Sequence, residues 1–367
     1  MFEKQLLNGI LAKGFDLLPK KQVAQNGKKL RYERIKDFLL QPDFKGFTKD
    51  DLFIMQFIKK GWGHDIAALS NMAEALVNLC IKNPQKKNEY QLLIKEVVFR
   101  ALHPNVSPYN KDINKVHSLG KFGYYLEHLN IILGCYQRII DKGLVELNER
   151  VTKHLLHLSM SKNNYHAELL PHVNMRWSAD QAAIICSIWI FDQNNGTDLG
   201  SELTDKWLKY MKMKGTHDQT GLFATEALGT RKYSDQPRGC ALAYLIHYMA
   251  RFAPLDARNQ WERFKRHMMT RVMGRTAFRE YLKDYDGAWT PDSGPIIAGA
   301  GIAATGLALN AASTIGDRKT YRLLENSMNP VHTMLTKGDI IPGIKMFSKL
   351  GTDLLSSSIW LNAETRI

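Results

Sequence analysis

Apolar residues recur every three to four positions along most of this chain, the spacing that puts them on one face of an α-helix. The pattern predicts helices over roughly residues 3–18, 50–60, 65–82, 88–102, 119–141, 145–160, 178–193, 201–213, 239–252, 257–274, 295–315, 318–326 and 355–363. Alternation with a period of two is scarce. Phe223–Glu226 is the best candidate for a short hairpin strand, with Gly229 in the turn. No βαβ pattern and no exact repeat occurs, so an all-α architecture is expected rather than a solenoid. The more apolar helices (119–141, 178–193, 239–252, 295–315) alternate with more charged ones (145–160, 201–213, 257–274, 318–326). A ring of buried helices inside a ring of amphipathic ones would give this alternation. The expected fold is an (α/α)6 barrel over residues 61–367, with residues 1–60 as a helical extension packed on it.

One stretch stands at the centre of this pattern. Asn174-Met175-Arg176-Trp177-Ser178-Ala179-Asp180-Gln181 leads into Ala182–Phe191, which is apolar all round and so belongs inside the protein. Ser178 and Gln181 have capping-box spacing. Asp180 falls in the first turn, near the positive end of the helix dipole. A carboxylate, a guanidinium and an indole thus meet where a buried helix begins. They can form the floor of a cavity, or simply a capped core helix carrying a surface acid.

Polar and aromatic residues recur at the starts of the other buried helices. Tyr124, Tyr125, Glu127, His128 and Asn130 stand within 119–141, His128 in mid-helix. Glu226, Arg231, Tyr233, Asp235 and Arg238 precede 239–252, and Tyr285, Asp286, Trp289, Asp292 and Ser293 precede 295–315. In a barrel of this kind these helix ends share one face, so the clusters would converge on one pocket lined by acids and aromatics. Asp180, Asp292, His128 and Glu226 are the candidate catalytic groups. Tyr124, Tyr125, Arg176, Trp177, Tyr233, Asp286 and Trp289 are the candidate substrate contacts. Each cluster also has a structural reading. His128 can be a hydrogen-bonded core histidine. Asp292-Ser293-Gly294-Pro295 can start a helix, with proline in its first turn. Glu226 can pair with Arg231, Lys232 or Arg238. Glu127 and His128, being adjacent, are expected to point to different sides of their helix.

Composition narrows the classes. The 367 residues are 44% hydrophobic, enough for a large core. Lysine and arginine exceed the acids by 50 − 36 = 14, but the basic residues are dispersed and form no nucleic-acid module, so no nucleic-acid partner is expected. Cys80, Cys135, Cys186 and Cys240 are far apart, without metal-ligand spacing. They read as buried free thiols of a reducing compartment, which points to the cytoplasm. Residues 1–21 have no continuous apolar core of a signal peptide. Phe2, Leu6, Ile10 and Phe15 nevertheless make one helical face that would dock on the protein itself or peripherally on a membrane. Pro295–Ala312 mimics a membrane span but reads as a tightly packed inner helix. Self-association is compatible with the sequence, which does not specify it.

No P-loop, dinucleotide fingerprint, H-E-x-x-H or G-x-S-x-G is present. Nucleotide- and zinc-dependent chemistry lose weight accordingly. Several short motifs instead have a family's order and spacing: His128-Leu129-Asn130 with Gly134 and Tyr136-Gln137, Ile188-Trp189-Ile190-Phe191-Asp192 followed by Gly196-Thr197-Asp198, Arg263-Phe264-Lys265, Asp292-Ser293-Gly294 and Gly316-Asp317. Over about residues 119–320 the chain resembles the linalool dehydratase/isomerase family. The resemblance implies an (α/α)6 barrel with an acid–base site at its centre and no cofactor or metal, and matches His128 to a site histidine. That family's characterised enzyme uses two cysteines. Asp180 stands at the counterpart of one, and no cysteine matches the other, so thiol chemistry is not expected here.

Three functions follow as expectations. In the first, a lyase or isomerase acts on a small alcohol or isoprenoid-like substrate. Asp180 or Asp292 gives a proton, and His128, Tyr125 or Glu226 relays the second. In the second, a glycoside hydrolase uses two carboxylates from Asp180, Glu226, Asp286 and Asp292, with Trp177 and Trp289 stacked on sugar faces. In the third, the protein is a non-catalytic scaffold at a membrane surface.

Overall fold

A computed structural model describes residues 20–56, 63–109, 111–228, 232–233, 236–285, 287–336 and 353–367. The expected helix at 3–18 and its apolar face of Phe2, Leu6, Ile10 and Phe15 lie outside these residues, as do residues 57–62, 229–231, 234, 235 and 286. Twelve α-helices are present among the described residues: α1 Lys20–Leu39, α2 His64–Lys82, α3 Lys87–Leu102, α4 Gly123–Ile139, α5 Val145–Met160, α6 Ser178–Asn195, α7 Ser201–Lys214, α8 Gly239–Phe252, α9 Pro254–Met268, α10 Ile302–Ile315, α11 Arg318–Thr336 and α12 Leu354–Arg366.

The even-numbered helices form a closed inner ring. Each packs on the next, from α2 to α4, α6, α8, α10 and α12, and α12 returns to α2. The odd-numbered helices lie outside: α3, α5 and α9 each pack on the two inner helices they connect, α11 packs on α10, α7 packs on its outer neighbour α5, and α1 seals the seam between α11, α12 and α3. The architecture is the expected (α/α)6 barrel. Because an outer helix separates successive inner ones, the inner helices run the same way and their N-termini share a face. Loop contacts tie that face together. Gly123 N donates to Glu168 O, Ser178 N to Thr225 O, and Gly239 N to Glu280 O. Leu354 N donates to Asp51 O, and Phe53 N to the Asp353 carboxylate.

The short strands are all in loops. β1 (Met175–Trp177) pairs with β2 (Glu226–Leu228), placing Trp177 opposite Glu226, and β2 pairs with β3 (Lys232–Tyr233). β4 (Met269–Val272) and β5 (Arg275–Phe278) form a hairpin where a continuation of α9 was expected, because Gly274 sits in the turn after Val272. β6 (Ile296–Ile297) and β7 (Ala300–Gly301) occupy the expected start of the 295–315 helix. Ala298 and Gly299 both have positive φ there, a hairpin turn that no helix accommodates.

The core is continuous around the ring, from Ile35 on α1 to Leu361 on α12. α1 was not expected from the sequence. Its buried face includes Arg31 beside Ile35, Phe38 and Leu39. Arg31 lies over the Trp360 ring at 4.0 Å and pairs with Glu364, Nε to Oε2 being 3.1 Å. The pairing satisfies a buried charge and fixes the outer helix to the ring-closing one. Arg100 on α3 likewise donates to the carbonyls of Phe38, Leu39 and Gln41, covering the free C-terminal carbonyls of α1.

One glycine lets the barrel mouth close. A Cβ on Gly239 would lie 2.0 Å from the backbone oxygen of Arg279, which cannot move aside cheaply. Gly239→Ala is therefore expected to lower the melting temperature by several degrees. The α8 start would separate from the 279–280 segment, visible as faster amide exchange of Gly239 and Cys240. A variant that melts with the wild type would show the contact to be soft.

Candidate functional site

The site is at the shared N-terminal face of the inner ring. Asp180 is in the first turn of α6, held there by the β1–β2 pairing and the Ser178 N to Thr225 O bond. The expected capping box does not form: the residue before the helix, Trp177, is extended and gives no side-chain cap. Ser178 and Gln181 serve buried partners instead. Ser178 Oγ contacts His166 Nε2 at 3.1 Å, while Gln181 accepts from Ala167 N at 2.8 Å and donates to Ser159 at 3.0 Å. A side chain whose surroundings are protein on every side satisfies those surroundings before its own helix end.

Burial pushes the Asp180 carboxyl up to about 7, and the nearby Asp292 carboxylate adds to this. The sequence leaves open whether Arg176 and the helix dipole would hold it down. Arg176 is buried in β1, near His166, and is not among the groups that set the Asp180 proton affinity.

Asp292 stands across the mouth on the loop before α10, its side chain 58% exposed, with Oδ1 3.6 Å from His64 Nε2 at the start of α2. Enclosure by the loops alone would raise this carboxyl, but His64 and then Arg238 take it below the ordinary value. Two carboxyls at one mouth are thus driven apart, one toward holding its proton and one toward losing it. Ser293 caps no helix here. It accepts from Thr290 N at 2.8 Å, closing a tight turn over Thr290–Gly294 that presents Asp292.

Below the mouth lies a group on α4 in which Glu127 and His128 are fully buried and Tyr124 is partly so. Tyr124, Glu127 and His128 are three and four positions apart, so they share one face toward the ring interior. The expected divergence of Glu127 and His128 is not found, since both reach the Tyr244 hydroxyl of α8, at 3.3 and 3.1 Å. His128 Nδ1 is 2.7 Å from Ser70 Oγ on α2. Burial pushes the His128 imidazole down to about 3, so the ring is neutral. Burial and then Asp180 push Glu127 well above the carboxylate range. Tyr124 is raised by burial and by Asp180, Glu127 and Asp292 together, so its hydroxyl is within electrostatic reach of all three carboxyls. Gly63, at φ +85, makes room for that ring: a Cβ there would be 2.2 Å from a Tyr124 ring carbon.

The other candidates fall outside this group. Tyr125, one position further round α4, points outward, its hydroxyl donating to Ala101 O at 2.9 Å and its ring against Tyr109. It cannot relay a proton at the mouth. Glu226 is clamped by Arg238 at 3.4 Å. The same guanidinium holds Glu280 at 3.1 Å and Thr290 Oγ1 at 2.6 Å, so this cluster anchors the Asp292 loop. Trp177 packs half-buried on the core, while Trp289 is 54% exposed beside Asp292 in sequence. Tyr233 lies in β3, and Asp286 is outside the described residues.

Deeper still, Glu74 on α2 meets Arg251 of α8 and Arg366 of α12, the latter at 3.3 Å. It also accepts from Asn362 at 2.8 Å, with His247 3.7 Å away. The four cysteines are free and buried, as expected. Among the described residues no cluster of three histidine, cysteine or acidic side chains could hold a metal, and no helix is long and apolar enough to cross a membrane.

No protein-family profile matches the sequence, and no curated protein matches it. Solved structures do share its fold. An inactive variant of an α-1,6-mannanase of glycoside hydrolase family 76 from Salegentibacter sp. HEL1_6, in complex with α-1,6-mannotetrose, aligns at TM-score 0.56 and 10% identity, over 95% of this chain and 98% of that one. The family 76 mannosidase of Bacteroides thetaiotaomicron VPI-5482 aligns at TM-score 0.51 and 10% identity, over 83% and 86%. The resemblance to linalool dehydratase/isomerase is thereby overturned, and with it the lyase or isomerase expectation. The motifs behind it are short pieces of helix and of the turns between helices, each weak alone. At this identity the likeness establishes the (α/α)6 barrel.

Proposed function

We propose that the protein is a glycoside hydrolase acting on a neutral oligosaccharide at the barrel mouth. The observation that carries this reading is the placement of two carboxyls in unlike surroundings at that mouth, Asp180 buried in the first turn of α6 and Asp292 exposed beside His64, which favours a proton on the first and the anion on the second. Asp180 gives its proton to the glycosidic oxygen as the bond to the anomeric carbon breaks. Asp292 takes a proton from the incoming water, or attacks the anomeric carbon itself, according to the separation of the two groups when substrate is bound. The solved structures that share the fold support the same class, being family 76 glycoside hydrolases.

The mannanase's inactive variant has two adjacent aspartates replaced. The one adjacent aspartate pair in this sequence is Asp50-Asp51. Asp51 there accepts from Thr48 N and Oγ1 at 2.8 and 2.7 Å, a turn-closing role. The acids of this site come from the first turn of α6 and the loop before α10, so the linkage cleaved is a matter for a substrate panel. Incubation with α-1,6-mannooligosaccharides and other neutral oligosaccharides is expected to release reducing ends. A panel left intact by the purified protein would overturn the proposal.

Trp289 offers an exposed indole face next to the Asp292 turn. An aromatic contact contributes about 1 kcal/mol, so Trp289→Ala is expected to raise KM about fivefold and leave kcat nearly unchanged. Initial rates across a substrate range check this. A fall in kcat alone would place the indole away from the bound sugar.

A further inference from the structure

Glu127 is fully buried, yet its Oε2 has no hydrogen-bond partner. Its Oε1 begins a line of contacts that crosses the ring. Tyr244 Oη is 3.3 Å from Glu127 Oε1 and 3.1 Å from His128 Nε2. His128 Nδ1 is 2.7 Å from Ser70 Oγ, which donates to Ala67 O at 3.0 Å. The line ends on a carbonyl, which can only accept.

Two proton arrangements connect these atoms. In the first, Ser70 donates to Ala67, His128 Nδ1–H to Ser70, and Tyr244 to His128 Nε2. Glu127 must then carry a proton to donate to Tyr244. In the second, the directions are reversed: Ser70 donates to His128, His128 Nε2–H to Tyr244, and Tyr244 to an ionised Glu127. The second takes the Ser70 proton away from Ala67. It also places an anion at a fully buried position. The groups facing it are Asp180 from α6, Tyr124 and a neutral His128 from α4, and Tyr244 from α8, with no lysine or arginine among the described residues paired to it. A buried carboxylate without a counter-ion takes up a proton instead. The first arrangement is the one the surroundings permit.

We infer that Glu127 is a neutral carboxylic acid, its Oε1–H donated to Tyr244 and its Oε2 offered as an acceptor to a hydroxyl of the ligand in the barrel. A second buried polar atom in the same part of the ring also lacks a partner. This is the Tyr248 hydroxyl, one turn along α8 from Tyr244, the two rings being 4.7 Å apart. A hydroxyl is the group that can donate to Glu127 Oε2 and accept from a phenol. A carboxylate or phosphate would face an acceptor, and an ammonium would find no anion in Glu127. The chemistry selects a neutral polyol such as the end of a sugar. The ligand part rests on the glycan reading of the site, whereas the proton placement does not.

Glutamine reproduces a neutral glutamic acid, donating through its amide nitrogen and accepting through its oxygen, so Glu127→Gln separates the two states. Difference infrared spectroscopy at pH 7 between wild type and Glu127→Gln is expected to show the carbonyl band of a protonated carboxyl in the wild type only. Absence of that band overturns the proton placement. Calorimetric titration with α-1,6-mannotetraose is expected to give Glu127→Gln an affinity within about threefold of wild type and Glu127→Leu one at least tenfold weaker. Equal affinities for the leucine variant and wild type would show that Oε2 meets only water, and would overturn the ligand role. The same role is read without a leucine variant, since mannotetraose should shift the wild-type band, and a band unmoved at saturation also overturns it. A wild type that binds no oligosaccharide sinks the glycan reading and the ligand role together, while the band still decides the proton placement.

Discussion

Asp180→Asn is expected to lower kcat on a glycosidic substrate by ~10²–10⁴-fold, the range for losing a general acid, and to make the folded protein more stable above neutral pH. Both effects come from the same proton. Asp180 keeps its proton to about pH 7 because burial and Asp292 penalise its anion. In the unfolded chain the same carboxyl ionises near its ordinary value of 3.8. Between these values the native state binds the extra proton, so stability falls as pH rises through the window. At ~1.4 kcal/mol per pH unit, the cost above neutrality is on the order of 4 kcal/mol. Asparagine has no proton to lose and escapes that cost. Urea denaturation of both proteins at pH 4.5 and pH 8 checks this: the variant should match the wild type at the lower pH and exceed it at the higher. Identical pH dependence in the two would show that Asp180 ionises normally. In the wild type, activity should also fall as pH rises past about 7, where the acid is lost.

Glu74→Gln should be among the most destabilising single substitutions in the chain, by ~3–5 kcal/mol, the usual consequence of removing one partner from a buried ion pair. Glu74 is 4% exposed and is shared by Arg251 and Arg366. Burial would raise its carboxyl, but the two guanidiniums and His247 hold it well below the carboxylate range, so it is anionic. Its loss leaves two guanidiniums facing each other inside the ring, with Arg366 already driven down by burial and by Arg251. The sites are α2, α8 and α12, so the ring-closing contact is affected directly. Guanidinium denaturation gives the magnitude, and Arg251→Met in the Glu74→Gln background should recover part of it, a non-additivity expected of groups in one network. A cost below ~1 kcal/mol for the single variant would mean that another group neutralises the arginines.

Much of the ring was legible because burial imposes apolarity. α6, α8 and α10 read as inner helices since almost every position on them touches protein. α2 and α12 did not stand out, because their inward faces are polar: Ser70, Asn71 and Glu74 on one, Asn362 and Arg366 on the other. Spacing of three to four along an otherwise apolar helix is the available signal, and it marks these groups as facing an interior that other charges satisfy. α1 was illegible for a related reason. Its buried positions include Arg31, whose partner Glu364 is 333 positions away, and no local pattern encodes a pairing at that separation.

At the site, Asp180 and Asp292 were identified by their place at helix starts, and the structure brings them to one mouth. Tyr125 was misplaced because its proximity in sequence to Tyr124 hides a rotation of about 100° around the helix. Glu127 was visible but not counted among the acting groups, since only the convergence of Tyr244 and His128 shows what its proton does. His64, Ser70 and Tyr244 carry no motif, and their roles exist only once the ring has closed.

That closure joins α12 to α2, the last helix of the ring to its first inner one, and it bears on how the protein is made. While the chain leaves the ribosome, α2, α4, α6, α8 and α10 can pack in order on neighbours already present, each contact being local. The flanks of α2 and α10 then stay open, with Glu74 and Arg251 lacking Arg366, until Leu354–Arg366 has emerged. The nascent barrel is an arc with two apolar edges, the condition in which sticky intermediates meet chaperones. Its final, slowest contact is also the one that completes the charged centre.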